Sequence, residues 1–464
     1  MSAPSDYRLS PQDMADAGLC IGCGACASLM GRPGVRMDWD AEGQLKPHGP
    51  AHWRSARTRG FARLCPFSPA ATDEDGIANQ RFPDAARKDE AIGRHEAAYV
   101  GHVGEDEYRA QGSSGGMATW VASELLRRNR VDGVAHVAPA QDRLFRYRIA
   151  RDEAALRAGA KSRYYPVDMA GILDEIRATP GRYAVIGIPC FIKAVHLARR
   201  ADPILHERIG FTLALVCGHM KSRHMVDSFA WQMDLAADAV AAVEYRVKNP
   251  DRPANWYTAR LATRDGEERM RDWWHLVDGD WGSGFFQNSA CDYCDDVVGE
   301  TADVSFGDAW VEPYSSDGRG TNVVVVRAKA LREMIDEARA EGRLALTEVD
   351  AAFVKDTQAA GFRQRREGLS YRLTWAKRGV RPVKRVPPRA DHIPVRRKLV
   401  YRCRHWIARG SARMFRIARA LRQPWLFLLW GRAALAVYQG LTYSRGWLGK
   451  AFDRIEGWFS KAAA

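Results

Sequence analysis

The sequence predicts an α/β fold, α+β over the whole chain, and three observations predict it. From about residue 95 to 218, apolar runs that read as strands alternate with helical patterns, which argues for a layered, largely parallel sheet. Ahead of this lies a stretch with clustered cysteines, many Gly and Pro and few long apolar runs, as expected of a small region folded round a metal centre. Behind it, the Pro- and Arg-rich "RPVKRVPPRADHIPVRRK" reads as a linker into a basic helical tail. Four domains follow: residues 1–92, 93–235, 236–360 and 361–464.

In the first α/β domain a helix is expected from Gly116 to Arg128, with strands at "VDGVAHVAP", "YAVIGIP" and "FTLALVC". In the next, strands are expected at "AAVEYRVK", "ADVSFGDAW" and "TNVVVVRAK", then a helix from Ala328 to Glu341. This reads as a second lobe. In the tail Leu399, Cys403, Trp406, Ile407, Met414, Ile417 and Leu421 recur at three- and four-residue spacing, with Arg402, Arg409, Arg413 and Arg416 on another face.

With 464 residues, 46% hydrophobic and 27% charged, the chain suits a folded soluble enzyme of several domains. Its N-terminus has no basic region followed by an apolar one, so a cytoplasmic location is expected. There, nine cysteines stay reduced and point to metal or redox chemistry. The net charge of +14 is not a nucleic-acid signal. Residues 361–464 hold 25 Lys and Arg against 4 Asp and Glu, which leaves residues 1–360 at −7, and no groove-reading motif is present.

The most specific chemistry is at "LCIGCGACASLMGR". Cys20, Cys23 and Cys26 follow the bacterial ferredoxin spacing, with Met30 where the fourth cysteine would stand, and "RLCPFSP" supplies a Cys-Pro at Cys65. In two-cluster ferredoxins the fourth cysteine of each run ligates the other cluster, so these four residues make one ferredoxin-like 4Fe-4S site. Zinc also takes four thiolates, but its sites come as two separated CxxC pairs.

Cys190 follows a strand at the start of a helix, where the dipole favours a thiolate. Cys217 follows the next strand, and Cys291 and Cys294 form a CxxC. These four are enough for a second cluster. Burial as small hydrophobes, with zinc or nothing on the CxxC, explains them equally well. Gly112, Ser113, Ser114, Gly115 and Gly116 precede an apolar-periodic helix and offer backbone N–H groups to a phosphate, or simply cap that helix.

"GSSGGMAT", "KSRYYP", "IGIPCFIKA", "LVCGH", "YRVKNPDRPANWY" and "CDYCDDVVGETADVSFGDAW" occur in the order seen in the coenzyme F-420 hydrogenase/dehydrogenase beta-subunit family. That family includes 7-hydroxymethyl chlorophyll a reductase-like iron-sulphur flavoproteins, and the resemblance runs over roughly residues 15–350. It implies a central flavin-binding core, FAD, two 4Fe-4S clusters and electron transfer from a ferredoxin-like carrier to a small organic substrate. The alternative is an electron-transfer subunit with no substrate of its own, serving a partner enzyme; use of the deazaflavin coenzyme stays open.

The resemblance further implies Cys190, Cys217, Cys291 and Cys294 as the second cluster set. Gly112 to Gly116 become FAD-phosphate candidates, and Lys161, Ser162 and Tyr164 flavin neighbours, although here the order is Lys-Ser-Arg-Tyr. Three further residues are catalytic candidates: Lys248 for an anionic group, Asp308 as a proton donor and His219 as a proton shuttle. Each is also explained as an ordinary strand-end, capping or hydrogen-bonded residue.

The tail lies outside the resemblance. Trp375, Trp406, Trp425, Trp430, Trp447 and Trp458 among many arginines suit a helix lying in an anionic membrane interface, at the inner face of the membrane. Docking on an acidic partner and a partly buried helical hairpin explain the same pattern. The apolar run "PWLFLLWGRAALAVYQG" is too short to span a bilayer.

Overall fold

An eight-stranded mixed sheet is the frame of the computed structural model, which describes residues 7–462, with side chains through Arg454 of the last helix. In spatial order its strands are Leu344–Val349, Ala97–Val103, Asn322–Val326, Val304–Asp308, Ile209–Leu215, Tyr183–Gly187, Gly133–Pro139 and Phe145–Ala150. The four from Val304–Asp308 to Gly133–Pro139 are parallel to one another, and the remaining pairings are antiparallel.

Burial explains this order. "NVVVV" at Asn322–Val326 is buried at every position and so needs a central place. Phe145–Ala150 and Leu344–Val349 alternate buried with exposed residues over most of their length and lie at the two edges. The same rule changes the expected second lobe. Its apolar strands Val304–Asp308 and Asn322–Val326 enter the central sheet, so residues on both sides of 235 form one sheet. Only Val240–Glu244, Thr258–Thr263 and Glu268–Asp272 make a separate antiparallel sheet. The predicted helices are present at Met117–Arg127 and Lys329–Ala340.

Two antiparallel steps make Ala97–Val103 point the same way as the four parallel strands. The carboxyl ends at Val103, Pro139, Gly187, Leu215 and Asp308 therefore lie at one end of the sheet, the usual place for ligands in open α/β folds. The loops carrying Gly112–Gly116 and Cys217, and the helix that begins at Pro189 and carries Cys190, follow three of those strands.

The basic segment folds back onto the body. Helices Val395–Ala420 and Pro424–Tyr443 pack together and share a core with the three-stranded sheet, where Phe415 stacks on Trp231 at 4.3 Å and Phe427 on Phe286 at 5.4 Å. The partly buried hairpin is thus the arrangement found. Its buried stripe is rotated from the expected one: Tyr401, Ile407, Ala408, Ser411, Ala412, Phe415 and Ala418 face inward, while Leu399, Trp406, Ile417 and Leu421 are exposed. Small Ala and Ser let the helix approach closely enough for Ser411 Oγ to accept from the Phe286 N–H at 2.8 Å. Among the described residues no helix is long and apolar enough to cross a membrane. The side chain of Trp458 lies outside the described residues.

Candidate functional site

The loop around Cys20, Cys23 and Cys26 owes its shape to close approaches. Gly24 adopts φ +83° and caps the helix Ala25–Leu29, and a Cβ on it would lie 2.8 Å from the Ala170 nitrogen. The Cys23 carbonyl accepts from the Met169 N–H at 2.9 Å, and Lys46 Nζ donates to the Cys20 carbonyl at 2.7 Å. Cys65 caps the helix Arg59–Leu64. Met30 packs its methyl group near Gly60, at the start of that helix.

These four cysteines come together. Burial, with the neighbouring cysteines adding to it, pushes the thiols of Cys23 and Cys26 far up, and that of Cys65 to about 12.

Cys190, Cys217, Cys291 and Cys294 line one small cavity with Arg365 and Met220. They arrive from three segments: the second residue of the helix Pro189–Ala201, the end of the strand Ile209–Leu215, and a short 3-10 turn. Residues 218–221 run beside 287–291, so that the Met220 N–H donates to Cys291 Sγ at 3.3 Å. All four thiols are pushed up by burial. For Cys190 burial outweighs the helix dipole expected to favour its thiolate.

The two cysteine sets are not separate modules. Ile21, between Cys20 and Cys23, and Phe67, two residues after Cys65, stand in the wall of the second cavity. Cys23, Cys26, Cys65, Cys190 and Cys294 belong to or pack against one hydrophobic cluster. Among the described residues no three His, Cys, Asp or Glu side chains are placed to share a single metal ion. Four thiolates that each bind a different iron of a cluster lie farther apart than ligands of one ion, and the all-thiolate donor set is the kind such clusters take.

The flavin candidates adjoin the cavity through an aromatic group. Ser113 Oγ accepts from the Ser162 N–H at 2.8 Å, tying the Ser-Gly loop to the Lys161–Tyr164 segment. Tyr164 lies 4.7 Å from Trp281, which stacks on His219 at 4.4 Å, two residues from Cys217. Tyr245 and Trp273 complete the group. Buried Tyr245 Oη, Trp273 Nε1 and His219 Nε2 have no hydrogen-bond partner among the described residues. Aromatic faces with three unpaired polar atoms fit a flat heteroaromatic ring. Burial, with nearby Lys221, Arg404 and Arg365, pulls the His219 pKa well down, so its ring is neutral.

The other candidates are held differently. A Cβ on Gly115 would meet the Gly101 carbonyl and the Asn322 nitrogen at 2.8 and 2.9 Å, so this glycine serves close packing. Asn322 Oδ1 accepts from the Met117 N–H at the helix start, and Ser114 Oγ donates to the Thr321 carbonyl. Gly112 and Gly116 pack against Tyr108 and each other. Lys161 pairs with Glu244 at 2.8 Å. Lys248 Nζ donates to the carbonyls of Arg109, Ser114 and Arg319 and so clamps the Ser-Gly loop; burial and Lys161, Arg109 and Arg246 bring its pKa down to about 7. Asp308 is engaged by Arg246. Beyond the loop opens a cleft of about 690 Å³, lined in part by Gly101, His102, Arg109, Asp317, Arg319 and Thr321.

Sequence reasoning missed Arg246, Trp281 and Arg365. Arg246 stands two residues before Lys248 in the quoted "YRVKNP", and Trp281 lies in the Gly- and aromatic-rich "GDWGSGFF". Arg365 carries no local signal.

Two family models match the chain, both of the Coenzyme F420 hydrogenase/dehydrogenase beta subunit: its N-terminal model over residues 98–174 and its C-terminal model over residues 181–352. No curated protein matches it. Among solved structures it is similar to a chain of the F420-reducing NiFe hydrogenase complex from Methanosarcina barkeri, at 16% identity, covering 62% of this chain and 96% of that one with a TM-score of 0.48. With ordered matches to both halves of the family across more than half its length, this chain belongs to the coenzyme F420 hydrogenase/dehydrogenase beta-subunit family.

Proposed function

We propose that this protein is an electron-transfer component of a redox complex, with two 4Fe-4S clusters and FAD as its cofactors. Cys20, Cys23, Cys26 and Cys65 would hold the outer cluster, and Cys190, Cys217, Cys291 and Cys294 the inner one. The observation that carries this reading is the shared hydrophobic core of the two cysteine sets, with Ile21 and Phe67 in the wall of the second cavity. Residues 1–92 then act as a ferredoxin-like port grafted onto the family domains, facing a ferredoxin-like donor or a partner redox subunit.

Bound flavin supplies the exchange between single electrons and electron pairs. The chain's own residues do the positioning. Tyr164, Trp281 and Trp273 offer ring faces, and Tyr245 Oη and Trp273 Nε1 offer donors. Neutral His219, whose ring resists protonation, offers an unpaired Nε2 as a hydrogen-bond partner rather than a proton carrier. Lys248 fixes the Ser-Gly loop for a phosphate, and Arg109 and Arg319 in the adjoining cleft add positive charge. Anaerobic purification with iron, acid-labile sulphide and flavin analysis tests the proposal: a colourless protein with zinc and no flavin overturns it.

The open cleft favours a second reading, in which the chain itself reduces or oxidises a small organic substrate. Turnover by the isolated chain supports that reading, whereas a stoichiometric partner and no turnover alone support the first.

The C-terminal hairpin extends the proposal. Trp406, Trp425 and Leu429 are exposed beside exposed Arg409, Arg413 and Arg432. Exposed apolar side chains and exposed arginines on the same two helices suit an anionic lipid surface, so the protein would rest on the inner face of a membrane from the cytoplasm.

A further inference from the structure

The family models end at residue 352. Arg365, the last residue of the helix Ala359–Arg365, nevertheless reaches the four-cysteine cavity, and among the described residues it is the one charged side chain in the wall. Its guanidinium is buried and fixed. One arm donates to the carbonyl of Gly218, next to Cys217, at 2.7 Å, and the other to the carbonyl of Asp296, two residues after Cys294. Arg365 thus joins two of the three cysteine-bearing segments.

Neighbouring basic residues are engaged close by. Arg372 donates to the Asp292 carbonyl at 2.7 Å, Lys384 pairs with Asp295 at 3.2 Å, and Arg385 pairs with Asp295 and Glu300. These cations engage the carboxylates of Asp292 and Asp295, whereas that of Asp296 accepts from the Gly299 and Glu300 N–H groups and Arg365 faces the thiols. Four buried thiolates form a concentration of negative charge that is costly unless compensated. Arg365 is placed to compensate it.

We propose that Arg365, supplied from beyond the family-matching region, sets the redox equilibrium of the four-cysteine site by fixed positive charge and holds its segments in register. This rests on the reading that Cys190, Cys217, Cys291 and Cys294 hold an iron-sulphur centre. When one electron arrives from a ferredoxin-like donor, the donor is oxidised by one and the site becomes more negative by one charge, with no proton moved. A guanidinium beside it favours the reduced state.

The test is a redox titration of the full chain, purified anaerobically, as wild type, Arg365→Gln and Arg365→Lys, followed by electron paramagnetic resonance, with Cys217→Ser assigning the inner signal. In Arg365→Gln the inner signal should shift at least tenfold toward the oxidised form, 59 mV lower for a one-electron couple, with the outer signal unmoved. Arg365→Lys keeps the charge and should shift less than tenfold. Wild-type protein lacking iron and sulphide overturns the underlying reading. Wild type and Arg365→Gln that both hold iron and titrate together overturn the role of Arg365 alone. If Arg365→Gln does not fold, a tenfold or larger shift in Arg365→Lys overturns it.

Discussion

Arg246 grips Asp308 with both arms of its guanidinium, at 3.0 and 3.1 Å, beneath the ring of Tyr257. Asp308 ends a central strand, so the pair ties the three-stranded sheet to the main one. Replacing Asp308 with Asn leaves a buried guanidinium without its counter-charge and should cost about 3 kcal/mol. A fall in the urea midpoint would show it. An unchanged midpoint with lost activity would instead return Asp308 to the role of proton donor.

Gly116 has φ +85°, and a Cβ there would lie 2.6 Å from the Tyr108 carbonyl. Gly116→Ala should lower stability by about 1–3 kcal/mol and loosen the Ser-Gly loop. Thermal melting checks the first effect, and flavin per chain after gel filtration the second.

His136 is buried in the strand Gly133–Pro139, and burial, with the Arg163 charge, brings its pKa down to about 4. Unfolded, it titrates near 6.5. The unfolded chain therefore binds more protons between these values, so His136 leaves stability intact above pH 6.5 and removes up to about 3 kcal/mol as the pH falls toward 4. In denaturant titrations from pH 7 to 4.5, His136→Gln should lose less stability than wild type.

On the proposed assignment, Cys65→Ser and Cys217→Ser should each remove about half of the iron and sulphide, because each would delete one ligand from one set of four. Cys403→Ala should keep all of it. Equal loss in the Cys403 variant would contradict both assignments.

Vesicles containing anionic lipid should sediment the protein at low salt, and neutral vesicles should not. Trp425→Ser with Leu429→Ser should abolish sedimentation without changing the iron content. Binding that survives this change, or that neutral vesicles match, would argue for an acidic protein partner.

The first cysteine set was legible because its spacing is local: Cys20, Cys23, Cys26 and the Cys-Pro at Cys65 fall within one small region. Strands at Gly133–Pro139, Tyr183–Gly187, Val304–Asp308 and Asn322–Val326 were legible as apolar runs. Their assembly into one sheet was not, since periodicity carries no information about which run pairs with which. Ala97–Val103 and Phe145–Ala150 escaped notice, the first with only a short apolar core and the second alternating with arginines. Arg365 was hidden most deeply. In a segment dense with arginines, nothing local separates the one that turns inward to meet a carbonyl 147 residues away.

Ile21 and Phe67 form part of the wall of a cavity whose last contributors are Cys291, Cys294 and Arg365. On a ribosome the wall is made first and the contents last. The first cysteine set is complete once residue 65 has emerged, while the second awaits about 230 residues more and Arg365 about 300. The wall that Ile21 and Phe67 supply is thus synthesised well before the cysteines and the arginine that share it, so the cavity takes its full lining only when residues from both ends of the chain have met.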